Sequence, residues 1–153
     1  MKTASYAYVR TIARATHVTP MKILFVCLGN AFRSPVAEAL LKKLKPQIEV
    51  DSAGVNPGIP IAEVTKKYLA KENAEKYLKK DPESLSEKNL ASYDLIVVME
   101  SRHKDIILSK CPECKNKIIV WGIMDPYLMS SRRTEEIFEL VRQKVKKLAD
   151  SFK

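Results

Sequence analysis

The sequence predicts an α/β protein: a single-domain, doubly wound sheet of about four parallel strands with helices on both faces. Three observations carry this expectation. Short apolar runs alternate with amphipathic helical stretches along the chain. The runs are nearly continuous in hydrophobicity, as in strands buried on both faces of a parallel sheet. The first two lead into turns marked by glycine and proline, so the repeating unit is strand, turn, helix.

Length and composition agree. A chain of 153 residues is one ordinary domain and long enough to bury a core. Apolar residues make up 46% and charged residues 29%, the balance of a globular protein. No run approaches the length of apolar chain that spans a bilayer, so no membrane partner is expected. Three cysteines do not make the even framework of a small secreted domain, which points to a reducing, cytoplasmic setting. The net charge is +9, but residues 1–20 contain Lys2, Arg10 and Arg14 and no acid, leaving +6 for residues 21–153. That charge is scattered through helical segments without an accompanying nucleic-acid motif, so no nucleic-acid partner is expected either.

The elements follow in order. Residues 1–20, MKTASYAYVRTIARATHVTP, are acid-free and end at Pro20. A transit peptide shares that composition, but the segment reads more simply as an N-terminal extension, disordered or non-native, with Met21 as the natural start of a domain over 21–153. Lys22 to Val26 reads as the first strand. Pro35 suits a first helical turn, and Val36 to Leu44 has helical spacing until Pro46. Ile48 to Ser52 reads as a second strand, followed by a loop with Gly54, Pro57, Gly58 and Pro60, then helix over 61–79. Tyr93 to Met99 is the strongest buried strand. A helix from Arg102 to Lys110, a strand from Lys117 to Trp121, and an amphipathic helix from Thr134 to Phe152 complete the pattern.

The stretch VCLGNAFRSP joins the first strand to the first helix of this domain. In doubly wound sheets ligands bind outside the carboxyl ends of the strands, and Cys27 stands at such an end. Backbone amides in the turn behind it, with the helix dipole, make an anion site suited to phosphate. The same groups and a nearby guanidinium favour a thiolate, the nucleophilic form of cysteine. Ser34 can donate to that sulfur, and the planar fork of Arg33 can hold two oxygens of a transferring phosphoryl group. Gly29 and Asn30 tolerate the left-handed backbone of a tight loop.

With its Cys-x5-Arg-Ser spacing, its internal Leu28, Gly29 and Asn30, and the following Pro35 and Ala37-Glu38-Ala39, this loop resembles the phosphate-binding loop of the low-molecular-weight protein tyrosine phosphatases. The resemblance runs from about residue 21 to the end. It implies a phosphomonoesterase that works through a cysteinyl-phosphate without metal or cofactor, on a phosphorylated protein or a small phosphomonoester. Leu28, Gly29, Asn30, Ala31, Phe32 and Ser34 would bind the substrate, and Ser52, in Asp51-Ser52-Ala53-Gly54, would support the loop. The family takes its general acid from a late Asp-Pro pair, which Trp121 to Tyr127 (WGIMDPY) supplies as Asp125-Pro126, with Tyr127 lining the cleft.

Several positions depart from the family pattern. Phe32 stands where many members carry a second cysteine. Ala31 is neither the larger aliphatic residue of tyrosine-specific members nor the threonine of arginine-phosphate-specific ones. The family's histidine between the second helix and third strand is missing, because the histidines are His17 and His103. Cys111-Pro112-Glu113-Cys114 is a CxxC without the further ligands of a zinc site, open to being a local disulfide, a reactive pair or inert. Thiol-coupled arsenate reductases share the loop, which makes arsenate reduction an alternative, but their relay cysteines come closer after the third strand. A non-catalytic phosphoresidue-binding module is a further alternative, although binding alone needs neither nucleophile nor acid.

Overall fold

The computed structural model describes residues 5–15 and 20–152. Strands β1 (Lys22–Cys27), β2 (Glu49–Gly54), β3 (Leu95–Val98) and β4 (Ile118–Val120) form one sheet in the order β2-β1-β3-β4, every neighbouring pair parallel. The α-helices among the described residues are α1 (Tyr6–Ala15), α2 (Arg33–Leu44), α3 (Glu63–Lys71), α4 (Ser101–Lys110) and α5 (Ser131–Asp150).

Continuous hydrophobicity in β1 has the expected cause: both of its faces are covered. Ile23, Phe25 and Cys27 join a core with residues of α2 and α5, whereas Leu24 and Val26 join one with Ile107 of α4 and Leu85 and Leu90 of short 3-10 turns. The sheet is doubly wound, as the sequence predicts. Chain order reverses across β1, with β2 on one side and β3 on the other, so the ligand crevice of this topology opens at the carboxyl end of β1.

Element boundaries shift in ways that matter at that crevice. Helix α2 starts at Arg33, three residues before Val36, and β2 runs on to Gly54 instead of stopping at Ser52. The helix expected over 61–79 ends at Lys71. There Asn73 takes a left-handed conformation (φ 54), its N–H donates to the Ala70 carbonyl, and the Ala74 N–H donates to the Leu69 carbonyl. This is the Schellman arrangement that stops a helix, with asparagine in place of glycine. The chain then turns back through a short 3-10 helix at Glu75–Tyr77, which brings Lys79 towards the loop after β1.

The N-terminal segment, expected to be a disordered or non-native extension, is helical over Tyr6–Ala15. Its Val9 is fully buried, and Tyr6, Tyr8 and Ile12 pack against the α2/α5 core. The reason is amphipathic spacing, Tyr6, Val9 and Ile12 recurring on one helical face. The Tyr8 hydroxyl also donates to the Asp94 carbonyl (3.2 Å). The remainder of that segment, residues 1–4 and 16–19 with His17, lies outside the described residues. No helix among the described residues is long and apolar enough to cross a membrane.

Candidate active site

Strand β1 delivers Cys27 to the carboxyl edge of the sheet, and the chain loops through Leu28–Phe32 into α2. Asn30 adopts φ 55, the left-handed conformation that asparagine accepts more readily than most residues; Gly29, expected to share it, does not. The loop closes on the sulfur. Ser34 Oγ lies 2.9 Å from Cys27 Sγ, and the Asn30 N–H donates to the same sulfur (3.3 Å). Starting α2 at Arg33 aims the positive end of its dipole into this loop.

β2 supports the loop from behind, and its last residue must be small. A Cβ on Gly54 would meet the Gly29 carbonyl carbon, the Asn30 nitrogen and the Leu28 carbonyl oxygen at 2.8–2.9 Å, all main-chain atoms that cannot swing aside. Gly54→Ala is therefore expected to cost about 1–3 kcal/mol of stability, on the scale of overpacking, and to lower turnover at the same time. Urea melts and initial rates on one preparation check this, and normal values of both would show that the loop yields freely.

Beneath the loop lies a polar network. Asn30 Nδ2 donates to Ser34 Oγ (2.8 Å) and Ser52 Oγ (2.9 Å), and Ser52 Oγ donates to Glu38 Oε1 (2.5 Å). The Asn30 side-chain oxygen accepts from Lys79 Nζ (2.9 Å) and from the Glu83 N–H (2.8 Å). Ser52 thus connects Asn30 of the loop to Glu38 of α2. Lys79, which follows α3 where the resemblance implied a histidine, belongs to the same network.

Arg33 is 1% exposed, and its Nη1 donates to Glu100 Oε2 and to the Ile123 carbonyl, both at 2.6 Å. Its Nη2 lies 3.7 Å from Asp125 Oδ2. Burial pulls the Glu100 carboxyl upward, but hydrogen bonding and charge from Arg33, helped by Arg102, outweigh it and hold the group below the usual carboxylate range. His103 sits beneath Glu100, fully buried, with Nδ1 accepting from the Glu100 N–H (3.2 Å). Burial, reinforced by Arg33, pushes it down to about 4, so the imidazole is neutral at physiological pH.

Asp125 comes from the loop after β4. Its Oδ1 accepts from the Tyr127 N–H (3.0 Å), an Asx turn that fixes the carboxylate at the rim. Leu28, Gly29, Ala31, Phe32, Asp125 and Tyr127, with Asn56, Gly58 and Ile59, line a cavity of about 150 Å³. Asn30 and Ser34, also expected to bind the substrate, are fully buried, with the Asn30 N–H and the Ser34 hydroxyl against the Cys27 sulfur.

The strand-loop-helix turn that carries Cys27 and Arg33 therefore shares its cavity wall and an ion pair with Asp125. The model of the low molecular weight phosphotyrosine protein phosphatase family matches residues 22–153. The chain belongs to this family. Wzb of Escherichia coli (strain K12), a low molecular weight protein-tyrosine-phosphatase, is 31% identical over 137 residues, 84% of this chain and 93% of its own. The structure of Vibrio vulnificus Wzb in complex with benzylphosphonate is similar at a TM-score of 0.76 and 30% identity, covering 86% of this chain and 99% of its own. A structure of the YwlE arginine phosphatase is also similar, with a TM-score of 0.68, 30% identity, and coverage of 84% and 95%.

In this phosphatase the CxxC lies away from the chemistry. Cys111 and Cys114 form a disulfide between the end of α4 and the 3-10 helix leading into β4. Helix α4 starts beside Glu100 at the site and is about 15 Å long, so it carries the pair to the opposite edge of the sheet. That placement speaks against a thiol relay to Cys27, the free cysteine. Glu100, Lys79 and the Ile123 carbonyl were not anticipated from the sequence. Only Glu100 had a legible signal, an acid directly after the carboxyl end of a central strand.

Proposed function

We propose that this phosphatase hydrolyses phosphotyrosine in phosphorylated proteins through a cysteinyl-phosphate intermediate, with Cys27, Arg33 and Asp125 as its catalytic residues. The observation that carries the reading is the place of Arg33, which opens α2 directly after the Cys27 loop and brings its Nη2 to 3.7 Å from Asp125 Oδ2. The Cys27 thiolate attacks phosphorus and the bond to the ester oxygen breaks. Asp125 gives its proton to the departing phenoxide. As a carboxylate it then takes a proton from water, whose oxygen attacks phosphorus. The sulfur–phosphorus bond breaks, releasing inorganic phosphate and restoring the thiolate. Through both steps the loop amides and the free edge of the Arg33 fork hold the phosphoryl oxygens, and their grip is strongest as charge builds in the transition state.

The apolar walls given by Leu28, Ala31, Phe32, Ile59 and Tyr127 suit a flat aromatic leaving group. A nucleophile that must stay a free thiol suits a reducing compartment, which supports a cytoplasmic setting, and in that setting the Cys111–Cys114 disulfide is open to reduction. Assay of phosphotyrosine, phosphoserine, phosphoarginine and arsenate tests the reading, with phosphotyrosine expected to turn over fastest. Faster phosphoarginine hydrolysis would reassign the leaving group. Thiol-dependent arsenate turnover lost on replacing Cys111 and Cys114 would replace the reading altogether.

Asp125→Ala isolates the acid. It should slow phosphotyrosine hydrolysis by about 100-fold or more, and slow an activated aryl phosphate far less, because that leaving group departs without a proton. Equal slowing of both esters would remove Asp125 from proton transfer.

A further inference from the structure

We infer that Lys79 is a positioning residue for this reaction: its ammonium sets the direction of the hydrogen bonds behind the loop so that Ser34 donates to the Cys27 sulfur. The inference rests on Cys27 being the nucleophile. The Lys79 side chain is only 7% exposed, and a buried ammonium is stable only among partners. Here they are Glu83 Oε2 at 2.6 Å, Glu38 Oε1 at 4.0 Å, the Ser52 carbonyl at 2.7 Å, Ser52 Oγ at 3.2 Å and Asn30 Oδ1 at 2.9 Å.

An ammonium donates and never accepts. The Asn30 amide must therefore turn its oxygen to Lys79, where the Glu83 N–H meets the same atom, and turn its NH2 group to Ser34 and Ser52. Ser52 Oγ, already accepting from Asn30 and Lys79, sends its own proton to Glu38. Ser34 Oγ accepts from Asn30, so its proton points to Cys27 Sγ, 2.9 Å away. Donation to the sulfur favours the thiolate over the thiol. A flipped Asn30 amide would instead take the Ser34 proton and leave the sulfur without that donor. The other charges at the site, Arg33, Glu100 and Asp125, pair among themselves rather than with Lys79.

The test measures iodoacetamide alkylation of Cys27, located by peptide mass spectrometry, at pH 6 and pH 9. Lys79→Met is expected to slow alkylation about tenfold at pH 6, on the scale of a lost polar contact to a charged group, and much less at pH 9, because cysteines in general are largely thiolate there. On a Ser34→Ala background the same change should have no further effect, because the link it acts through is gone. Wild-type alkylation at pH 6 in Lys79→Met, or an equal slowing on both backgrounds, would overturn the inference. If Lys79→Met does not fold, Lys79→Arg and Lys79→Gln decide: arginine only donates and should retain most of the pH 6 rate, whereas glutamine can accept and should lose it. Equal rates in those two would also refute the role. Alkylation does not require turnover, so these outcomes stand apart from failure of the nucleophile assignment, which would show as catalysis by a variant lacking Cys27.

Discussion

Replacing Cys27 by serine is expected to reduce phosphotyrosine turnover by about 10⁴-fold or more, the scale of losing a nucleophile that acts as part of a unit. Binding of inorganic phosphate should stay within a few-fold of wild type. A serine hydroxyl fits where the sulfur sits, between Ser34 Oγ and the Asn30 N–H, so the loop keeps its shape. What it lacks is ionisation: at neutral pH a hydroxyl is almost entirely protonated, and the groups that favour a thiolate cannot make an alkoxide. Steady-state rates with calorimetric titration of phosphate separate the two effects. Turnover within a few-fold of wild type would remove Cys27 from the nucleophile's role, and lost phosphate binding would mean that the substitution had disturbed the loop.

Arg33→Lys is expected to lower turnover by about 100-fold or more, as when a transition-state oxyanion donor is removed. Charge is kept, but one ammonium cannot replace a planar fork that meets Glu100 and the Ile123 carbonyl through Nη1 and lies 3.7 Å from Asp125 through Nη2. Most of the loss should appear in kcat, because charge alone still attracts the dianionic substrate. A near-normal rate would reduce Arg33 to background charge. The same variant has a signature in stability. In the folded protein the Glu100 carboxyl lies below its usual range, so its interactions with Arg33 stabilise the fold at neutral pH, and that contribution is lost as pH falls through the folded-state value. Arg33→Lys should flatten the acid side of a plot of Tm against pH.

Much of this architecture is legible without coordinates because its signals are local. The apolar runs that became β1 and β3 are buried on both faces, and such burial leaves no alternation to misread. Cys27, Arg33 and Ser34 are close in sequence, so a strand-turn-helix reading brings them close in space. Boundaries were less legible. The helix assigned to 61–79 has few breakers inside it, and only the left-handed turn at Asn73 reveals the stop at Lys71. In the N-terminal segment the absence of acids hid the apolar face of α1, whose order depends on a core supplied by distant parts of the chain.

The sequence by itself determined the fold class, the phosphate loop and the Asp125-Pro126 acid candidate, because each is written in neighbouring residues or in strand-helix order. Tertiary structure alone decided which groups surround them. Glu100 reaches Arg33 across 67 positions, Lys79 reaches Asn30 across 49, and the Ile123 carbonyl reaches Arg33 across 90. Gly54 is needed because β2 runs directly behind the loop, a constraint visible only when the two backbones are side by side. Periodicity encodes which face of an element is buried; the partner that a buried charge meets depends on how far each element runs before it turns, which is settled by packing of the whole chain.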